Sequence, residues 1–222
     1  MTGGSSGIGA ACAVALAARG IRVAVIDLEA SLTADLSIRL DVRVLGSIVA
    51  AVEEVEAELG PVEHLVTAAG YYAPARLDSL DLDAWRAMLD VHVGGTANAW
   101  RAVVPGMLNR GHGSVCSIGS ELGLIGDPCA PHYAAAKGAI HAMTKSFAVE
   151  LAREGVRVNC IAPGPTDTPL LDVDPNASGY AAGLPLGRIL SPDEVAAAVC
   201  FVLLEDTNLI GQVLSPNAGA AL

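Results

Sequence analysis

Long apolar runs, basic residues and paired cysteines are all scarce in this 222-residue chain. Each scarcity excludes something. The longest uncharged apolar runs, Ala10–Ala18 and Val195–Leu204, are about half the ~20 residues that a bilayer span needs, so they read as buried core helices and no membrane partner is expected. The opening Met1-Thr2-Gly3-Gly4 has neither a basic segment nor an apolar core, so it does not read as a secretory signal, and a cytoplasmic setting is expected. Thirteen Lys and Arg stand against 24 Asp and Glu, for a net charge of −11, so a phosphate backbone would be repelled and nucleic acid is not expected as a partner. The five cysteines (Cys12, Cys116, Cys129, Cys160, Cys200) are odd in number and widely spaced, with no Cys-x-x-Cys and no His/Cys cluster at zinc spacing. They read as reduced thiols filling core space, with no metal site. Internal repeats, low-complexity tracts and linkers are missing as well.

What is present is apolar substance. Apolar residues make up 52% of the chain and charged residues 17%, the opposite of a disordered composition. The length supports one sizeable core, so residues 1–222 are read as a single domain. Short apolar runs alternate with helical stretches. Ile21–Ile26, Leu65–Thr67, Ser114–Ile118, Val156–Ile161 and Gln212–Leu214 read as buried, largely uncharged strands of a parallel sheet. The helical patterns are Gly7–Arg19, ending at Gly20; Ser47–Leu59, ending at Gly60-Pro61; a long Asp81–Asn109 with its tryptophans and leucines mostly buried; and Pro131–Arg153, ending at Gly155. A further helix follows the capping box Ser191-Pro192-Asp193-Glu194. Alternation of this kind predicts a Rossmann-type α/β fold, a doubly wound parallel sheet flanked by helices. Leu171–Pro185 lacks clear periodicity and reads as a mobile loop.

Two segments carry chemistry. Thr2-Gly3-Gly4-Ser5-Ser6-Gly7-Ile8-Gly9 opens directly into the first helix. Glycines there allow a tight turn and close ligand approach, and the free amides at a helix start attract an anion. A flexible Gly/Ser terminus is the alternative. Asp27 closes a strand about 20 residues past the glycines, where a carboxylate accepts hydrogen bonds from the adenosine ribose of a dinucleotide and repels a 2′-phosphate. Neither Leu28, counted here with the cofactor contacts, nor Glu29 offers a cation for such a phosphate, so NAD is favoured over NADP. A strand-end turn aspartate is the plainer reading of Asp27. The second segment is Tyr133-Ala134-Ala135-Ala136-Lys137. Spacing of four puts Tyr133 and Lys137 on one helix face. A phenol is a poor base at neutral pH, and a nearby ammonium would pull its pKa toward the useful range. The small alanines are expected to face the site and leave room for ligands. An ordinary surface Tyr/Lys pair is the alternative.

Taken in order and spacing, Thr2–Gly9, Ala68-Ala69-Gly70, Ser120, Tyr133–Lys137 and Pro163-Gly164 resemble the short-chain dehydrogenase/reductase family over nearly the whole chain. The resemblance implies that Gly3, Ser5, Ser6, Gly7, Ile8 and Gly9 cradle the pyrophosphate and that Asp41-Val42 contact adenine. It implies that Ala68, Ala69 and Gly70 approach the cofactor. Pro163-Gly164 with Thr166 (backbone) and Thr168 (side chain) would hold the nicotinamide carboxamide. It makes Ser120 the group that hydrogen-bonds the reacting oxygen, with Ser117, inside its strand, more structural. Tyr133 would exchange the hydroxyl proton, and Lys137 would also bind the nicotinamide ribose. The chemistry implied is hydride transfer between nicotinamide and a secondary alcohol or ketone. The strand around Gly211–Leu214 resembles one that packs across a tetramer axis in relatives, so a homotetramer or homodimer is expected.

The chain departs from the family pattern in several places. The family's first strand runs into the glycine motif, whereas only Met1 precedes Thr2; a missing central strand and a truncated or misassigned start are suspected. Thr67-Ala68-Ala69-Gly70 replaces Asn-Asn-Ala-Gly, so hydrogen bonds behind that strand are lost or replaced. His92 stands where the family has an asparagine that orders a proton-relay water; a relay histidine, a structural one and a weakened relay all remain open. Between Asp27 and Asp41 a full helix barely fits. The leading functional expectation is a dehydrogenase similar to those of cyclic alcohols and dihydrodiols. A catalytically impaired dinucleotide-binding protein is the alternative, and an acyl-carrier-protein-dependent reductase is disfavoured by Asp27 and the acidic surface. Substrate choice is assigned to Leu171–Pro185 and Glu121–Pro131.

Overall fold

The computed structural model describes residues 1–171, 179–205 and 207–221. Its strands are β1 (Ala24–Asp27), β2 (Leu36–Arg39), β3 (His64–Thr67), β4 (Gly113–Ile118), β5 (Val156–Ile161) and β6 (Val213–Leu214). Every strand pairing is parallel, in a two-stranded ladder β1-β2 and a four-stranded ladder β3-β4-β5-β6. β4 and β5 are buried almost throughout, as strands covered on both faces must be. On one face α1 (Gly7–Ala17) and α8 (Pro192–Leu204) enclose a core of Cys12, Leu16, Val25, Ile118, Val195 and Val199. On the other, α2 (Leu45–Leu59), α4 (Gly95–Arg110) and α6 (Pro131–Leu151) enclose Ile48, Val52, Trp100, Met107, Val115 and Leu151. These apolar clusters drive the assembly, since burial removes their surface from water. No helix among the described residues is long and apolar enough to cross a membrane.

The predicted capping box is present: Ser191 accepts from the Glu194 amide, and the Glu194 side chain accepts from the Ser191 amide. The predicted Asp81–Asn109 helix is three pieces, α3 (Leu82–Leu89), a π-helical turn (Asp90–Gly94) and α4. Met88 and Trp100 are buried in it, whereas Leu82 is exposed, because α3 covers only the rim of the core. The short stretch after Asp27 forms no helix. It makes a loop and then β2, whose register against β1 puts Ile38 beside Ile26. The unpredicted β2 alternates half-buried and exposed residues, an edge-strand pattern too short to stand out in sequence. The expected loop Leu171–Pro185 falls partly on 172–178, outside the described residues; α7 (Tyr180–Gly183) is one short turn within the rest.

At the centre of the sheet β1 and β3 do not pair with each other. Thr2 forms a parallel bridge to Ile26 on one side and to Thr67 on the other. The Thr2 and Gly3 amides donate to Val66 and Ile26 carbonyls, while Met1 and Thr2 carbonyls accept from the Ile26 and Ala68 amides. Residues 1–3 therefore stitch the two ladders at their carboxyl end. Beneath them lies a cavity of about 370 Å³ lined by Ile21, Val23, Ile48, Val52, Leu65 and others. The Met1 α-ammonium lies at this seam, donating to the Ala24 carbonyl at 2.7 Å, and burial pulls its pKa down to about 6.

Candidate functional site

A cleft of about 970 Å³ opens at the carboxyl ends of the strands, the position where doubly wound sheets bind ligands. It is at the large end of small-molecule sites. With one exception, every residue assigned a catalytic or cofactor-binding role from sequence lines it: Gly3, Ser6, Gly7, Ile8, Gly9, Asp27, Leu28, Asp41, Val42, Ala68, Ala69, Gly70, His92, Ser120, Tyr133, Lys137, Pro163, Gly164, Thr166 and Thr168. The exception is Ser5, whose amide donates to Asp27 Oδ2 at 2.9 Å and whose hydroxyl donates to the Glu29 carbonyl. Ser5 is thus a brace that fastens the glycine loop to the end of β1.

The anion end is built by α1. Its N-cap Ser6 makes no side-chain cap, and its first turn carries no acidic residue, so side chains leave the leading amides uncapped. A Cβ at Gly9 would overlap the Gly3 carbonyl oxygen, so glycine is required for the loop to fold against the helix start. Beside the loop, Asp27 also accepts from the Leu28 amide at 2.7 Å. Arg39 stands near, but its Nε donates to the Leu28 carbonyl, and Glu29 lies 3.9 Å from its guanidinium. At the far wall Asn98 donates to the Val42 and Arg43 carbonyls and so fixes the segment after Asp41 to α4. Arg43, not anticipated from sequence, lines this end and pairs with Asp41 at 2.6 Å, holding its carboxyl below the usual range. These uncapped amides, the glycine-only cradle and the Asp27 carboxylate lining the cleft fit a dinucleotide.

At the opposite end the turn between β4 and α5 (Leu122–Ile125) delivers Ser120, and α6 delivers Tyr133 and Lys137, all buried. Ser120 Oγ donates to Glu121 Oε2 at 3.1 Å and accepts from the Leu122 amide at 3.2 Å. Lys137 Nζ donates to the Ile118 carbonyl at 2.8 Å and lies 5.6 Å from the centroid of the Tyr133 ring. Burial pulls the lysine down to about 8. The expected depression of the tyrosine is not what the free protein holds. Burial drives the Tyr133 phenol well above its ordinary value, and the Glu121 and Asp127 charges add to that; a hydrogen bond with Ser120 pulls the other way. The alanines Ala134–Ala136 do not line the cleft: Ala135 is exposed on the other side of the helix, and Ala136 is buried against Met88 and Ala130. Thr166 donates its hydroxyl to the Gly164 carbonyl, which locks the segment after β5. Thr67 and the buried Ser117 share a 2.7 Å hydrogen bond, a replacement for contacts behind β3.

His92 lies within the π-helical turn and is 1% exposed. Its Nε2 is 3.2 Å from the Tyr71 amide and 2.8 Å from the Tyr71 carbonyl oxygen. Its ring packs edge-on to Tyr133 at 5.4 Å and fills the space that a Cβ on Gly70 would need. Burial, then the Lys137 charge, lowers it to about 3, so it is neutral. Local π-helical turns often mark functional sites, and here the turn aims the histidine at the backbone after β3.

On the substrate side, Glu121, Leu122 and Asp127 from Glu121–Pro131 and Tyr180 from Leu171–Pro185, the two segments assigned to substrate choice, line the cleft, and Tyr71 and Tyr72, which were not anticipated, line it with them. Tyr72 donates to Asp127 at 2.9 Å and meets the Tyr133 ring edge-on at 5.1 Å. The one signal for the two tyrosines was their place directly after Gly70.

Known proteins resemble this chain over nearly its whole length. A family profile described as enoyl-(acyl carrier protein) reductase matches residues 3–221. The chain is 36% identical over 235 residues to a cis-4-hydroxycyclohexanecarboxylate dehydrogenase of Sinomonas cyclohexanicum, covering 99% of this chain and 94% of that one. It is 37% identical over 239 residues to an L-fucose dehydrogenase of Mus musculus, covering 100% and 87%. The ligand-free structure of Thermoplasma acidophilum aldohexose dehydrogenase superposes with a TM-score of 0.91 at 29% identity, over 98% of this chain and 91% of that one.

Proposed function

Since this chain belongs to the short-chain dehydrogenase/reductase family, a family of oxidoreductases acting on CH–OH groups, we propose that it uses NAD to interconvert a cyclic secondary alcohol and its ketone, with Tyr133 as general acid and base. The observation carrying this reading is the convergence of Ser120, Tyr133 and Lys137 on one wall of a cleft whose other end is the uncapped start of α1. NAD rather than NADP is supported by Asp27 at the end of β1 and by the engagement of Arg39 with Leu28 and Glu29. The bound nicotinamide supplies the acceptor or donor of hydride. The chain's own groups handle the proton. In reduction, the Tyr133 phenol donates its proton to the carbonyl oxygen as that oxygen gains charge. In oxidation, the ionised phenol takes the hydroxyl proton. Ser120, buried beside it, turns its hydroxyl from Glu121 to the same oxygen and steadies its charge. Lys137, anchored to Ile118, keeps a cation beside the phenol and offers hydrogen bonds to ribose hydroxyls.

A cytoplasmic setting, supported by the five free thiols, and a dimer or tetramer formed through the β6 side complete the proposal. Thermal shift with each dinucleotide, followed by turnover of a panel of cyclic and secondary alcohols, tests the reading. NAD should raise the melting temperature more than NADP, and at least one cyclic alcohol should be oxidised. No shift with either dinucleotide, or no turnover across the panel, refutes it.

A further inference from the structure

The substrate end of the cleft carries acids and no spare cation. Glu121, 6% exposed, sits against Ser120, and Asp127 faces the same space between Tyr72 and the Cys129 amide. Among the described residues lining the cleft the only lysine or arginine side chains are Lys137 and Arg43. Lys137 is turned to the Ile118 carbonyl, and Arg43 is paired with Asp41 at the other end. An anionic substrate brought here would lose its hydration without finding a partner and would face two carboxyl groups. A substrate with several hydroxyls would meet groups that suit it, since carboxylate oxygens are strong hydrogen-bond acceptors.

Resting on the proposed oxidoreductase reading, we infer that Glu121 and Asp127 are specificity residues that select an uncharged, polyhydroxylated ring, a sugar-like polyol, over carboxylate or acyl-phosphate-bearing substrates. Glu121 acts next to the reacting centre, because the hydroxyl of Ser120 that would meet the reacting oxygen already touches its carboxyl. A hydroxyl adjacent to the one being oxidised falls within reach of that carboxyl. Asp127, held by Tyr72, receives hydroxyls further round the ring.

The test measures kcat/KM with NAD for matched pairs: cis-4-hydroxycyclohexanecarboxylate against its carboxamide, and free hexoses against cyclohexanol. The carboxamide should exceed the carboxylate by about tenfold or more, and the best hexose should exceed cyclohexanol by a similar factor, both through KM. Glu121→Gln should shrink the carboxamide-to-carboxylate ratio by about fivefold or more, and Asp127→Asn provides the same readout should the first variant fold poorly. A carboxylate turned over as well as its carboxamide overturns the inference, as does a hexose no better than cyclohexanol or a ratio unmoved in the variants. Each of those results leaves the oxidoreductase reading standing, whereas absence of turnover for all four substrate types with either dinucleotide removes both.

Discussion

The seam at Met1 yields a prediction whose size follows from the structure. The α-ammonium has a pKa of about 6 in the fold against 8.0 for the free group, because it is buried beside the Ala24 carbonyl. The folded value is the lower one, so folding penalises the charged form. The penalty is full below pH 6 and gone above pH 8. At about 1.4 kcal/mol per unit, linkage gives a penalty of roughly 2.7 kcal/mol at pH 5, about 1.4 at pH 7 and near zero at pH 9. For a chain of this size 1 kcal/mol moves the melting temperature by about 2–4 °C. Acetylating the Met1 amine removes the charge alone and should raise the melting temperature by about 5–10 °C at pH 5 and leave it nearly unchanged at pH 9. Fusing five Val/Ile-rich residues ahead of Met1 should do the same and also enter the 370 Å³ cavity between β1 and β3. Filling it is worth up to about 9 kcal/mol at ~24 cal/mol per Å³. Ordering five residues costs about 5–10 kcal/mol, so packing and entropy nearly cancel. Thermal unfolding by circular dichroism at pH 5, 7 and 9 reads the difference. Equal gains from acetylation at pH 5 and pH 9 would refute the buried ammonium.

Replacing Asp27 with asparagine removes a negative charge beside the expected position of the adenosine ribose, so the ratio of kcat/KM for NAD over NADP should fall by about 10- to 100-fold, the range that ~1–3 kcal/mol of charge repulsion and lost hydrogen bonding spans. An unchanged ratio would remove Asp27 from cofactor choice. Oxidation requires an ionised Tyr133 that burial holds protonated, so its kcat/KM should climb about tenfold per pH unit from pH 6 toward 8 and flatten where Lys137, with a pKa of about 8, gives up its charge. Reduction should run best at or below neutrality, and a flat oxidation profile over that window would contradict the phenol's protonated resting state. His92→Asn should cost about 1–2 kcal/mol of stability through lost packing against Gly70 and Tyr133 while kcat stays within about threefold. Collapse of kcat in a variant that still binds cofactor would give the imidazole a chemical role beyond positioning.

Legibility in the sequence tracked how local the determinant was. α1, α6 and α8 could be read because their punctuation is local: Gly7 to Gly20, Pro131 to Gly155, and the Ser191 capping box. β4 and β5 could be read because burial on both faces leaves apolar-rich runs, interrupted in β5 only by Arg157 and Asn159. The edge strand β2 could not, since four half-exposed residues carry little pattern and its place is decided by β1 beside it. The π-helical turn was also hidden, because Asp90–Gly94 lies inside one continuous helical pattern. At the site, Tyr133 and Lys137 were legible as a pair one turn apart. Their electrostatics were not, because the depth of burial and the charges of Glu121 and Asp127 come from segments distant in sequence or outside the helix. Ser5 looked like part of the cradle and proved to be its fastening to β1, a contact across 22 residues that no local pattern encodes.

The central claim is that the Tyr133 phenol carries the proton that accompanies hydride transfer. Its most direct test is the turnover number of Tyr133→Phe, measured alongside NAD affinity by calorimetric titration. The account predicts a loss of about 10³-fold in kcat with the dissociation constant for NAD held within about threefold. A phenylalanine variant that oxidises the same alcohol within tenfold of the parent would contradict it.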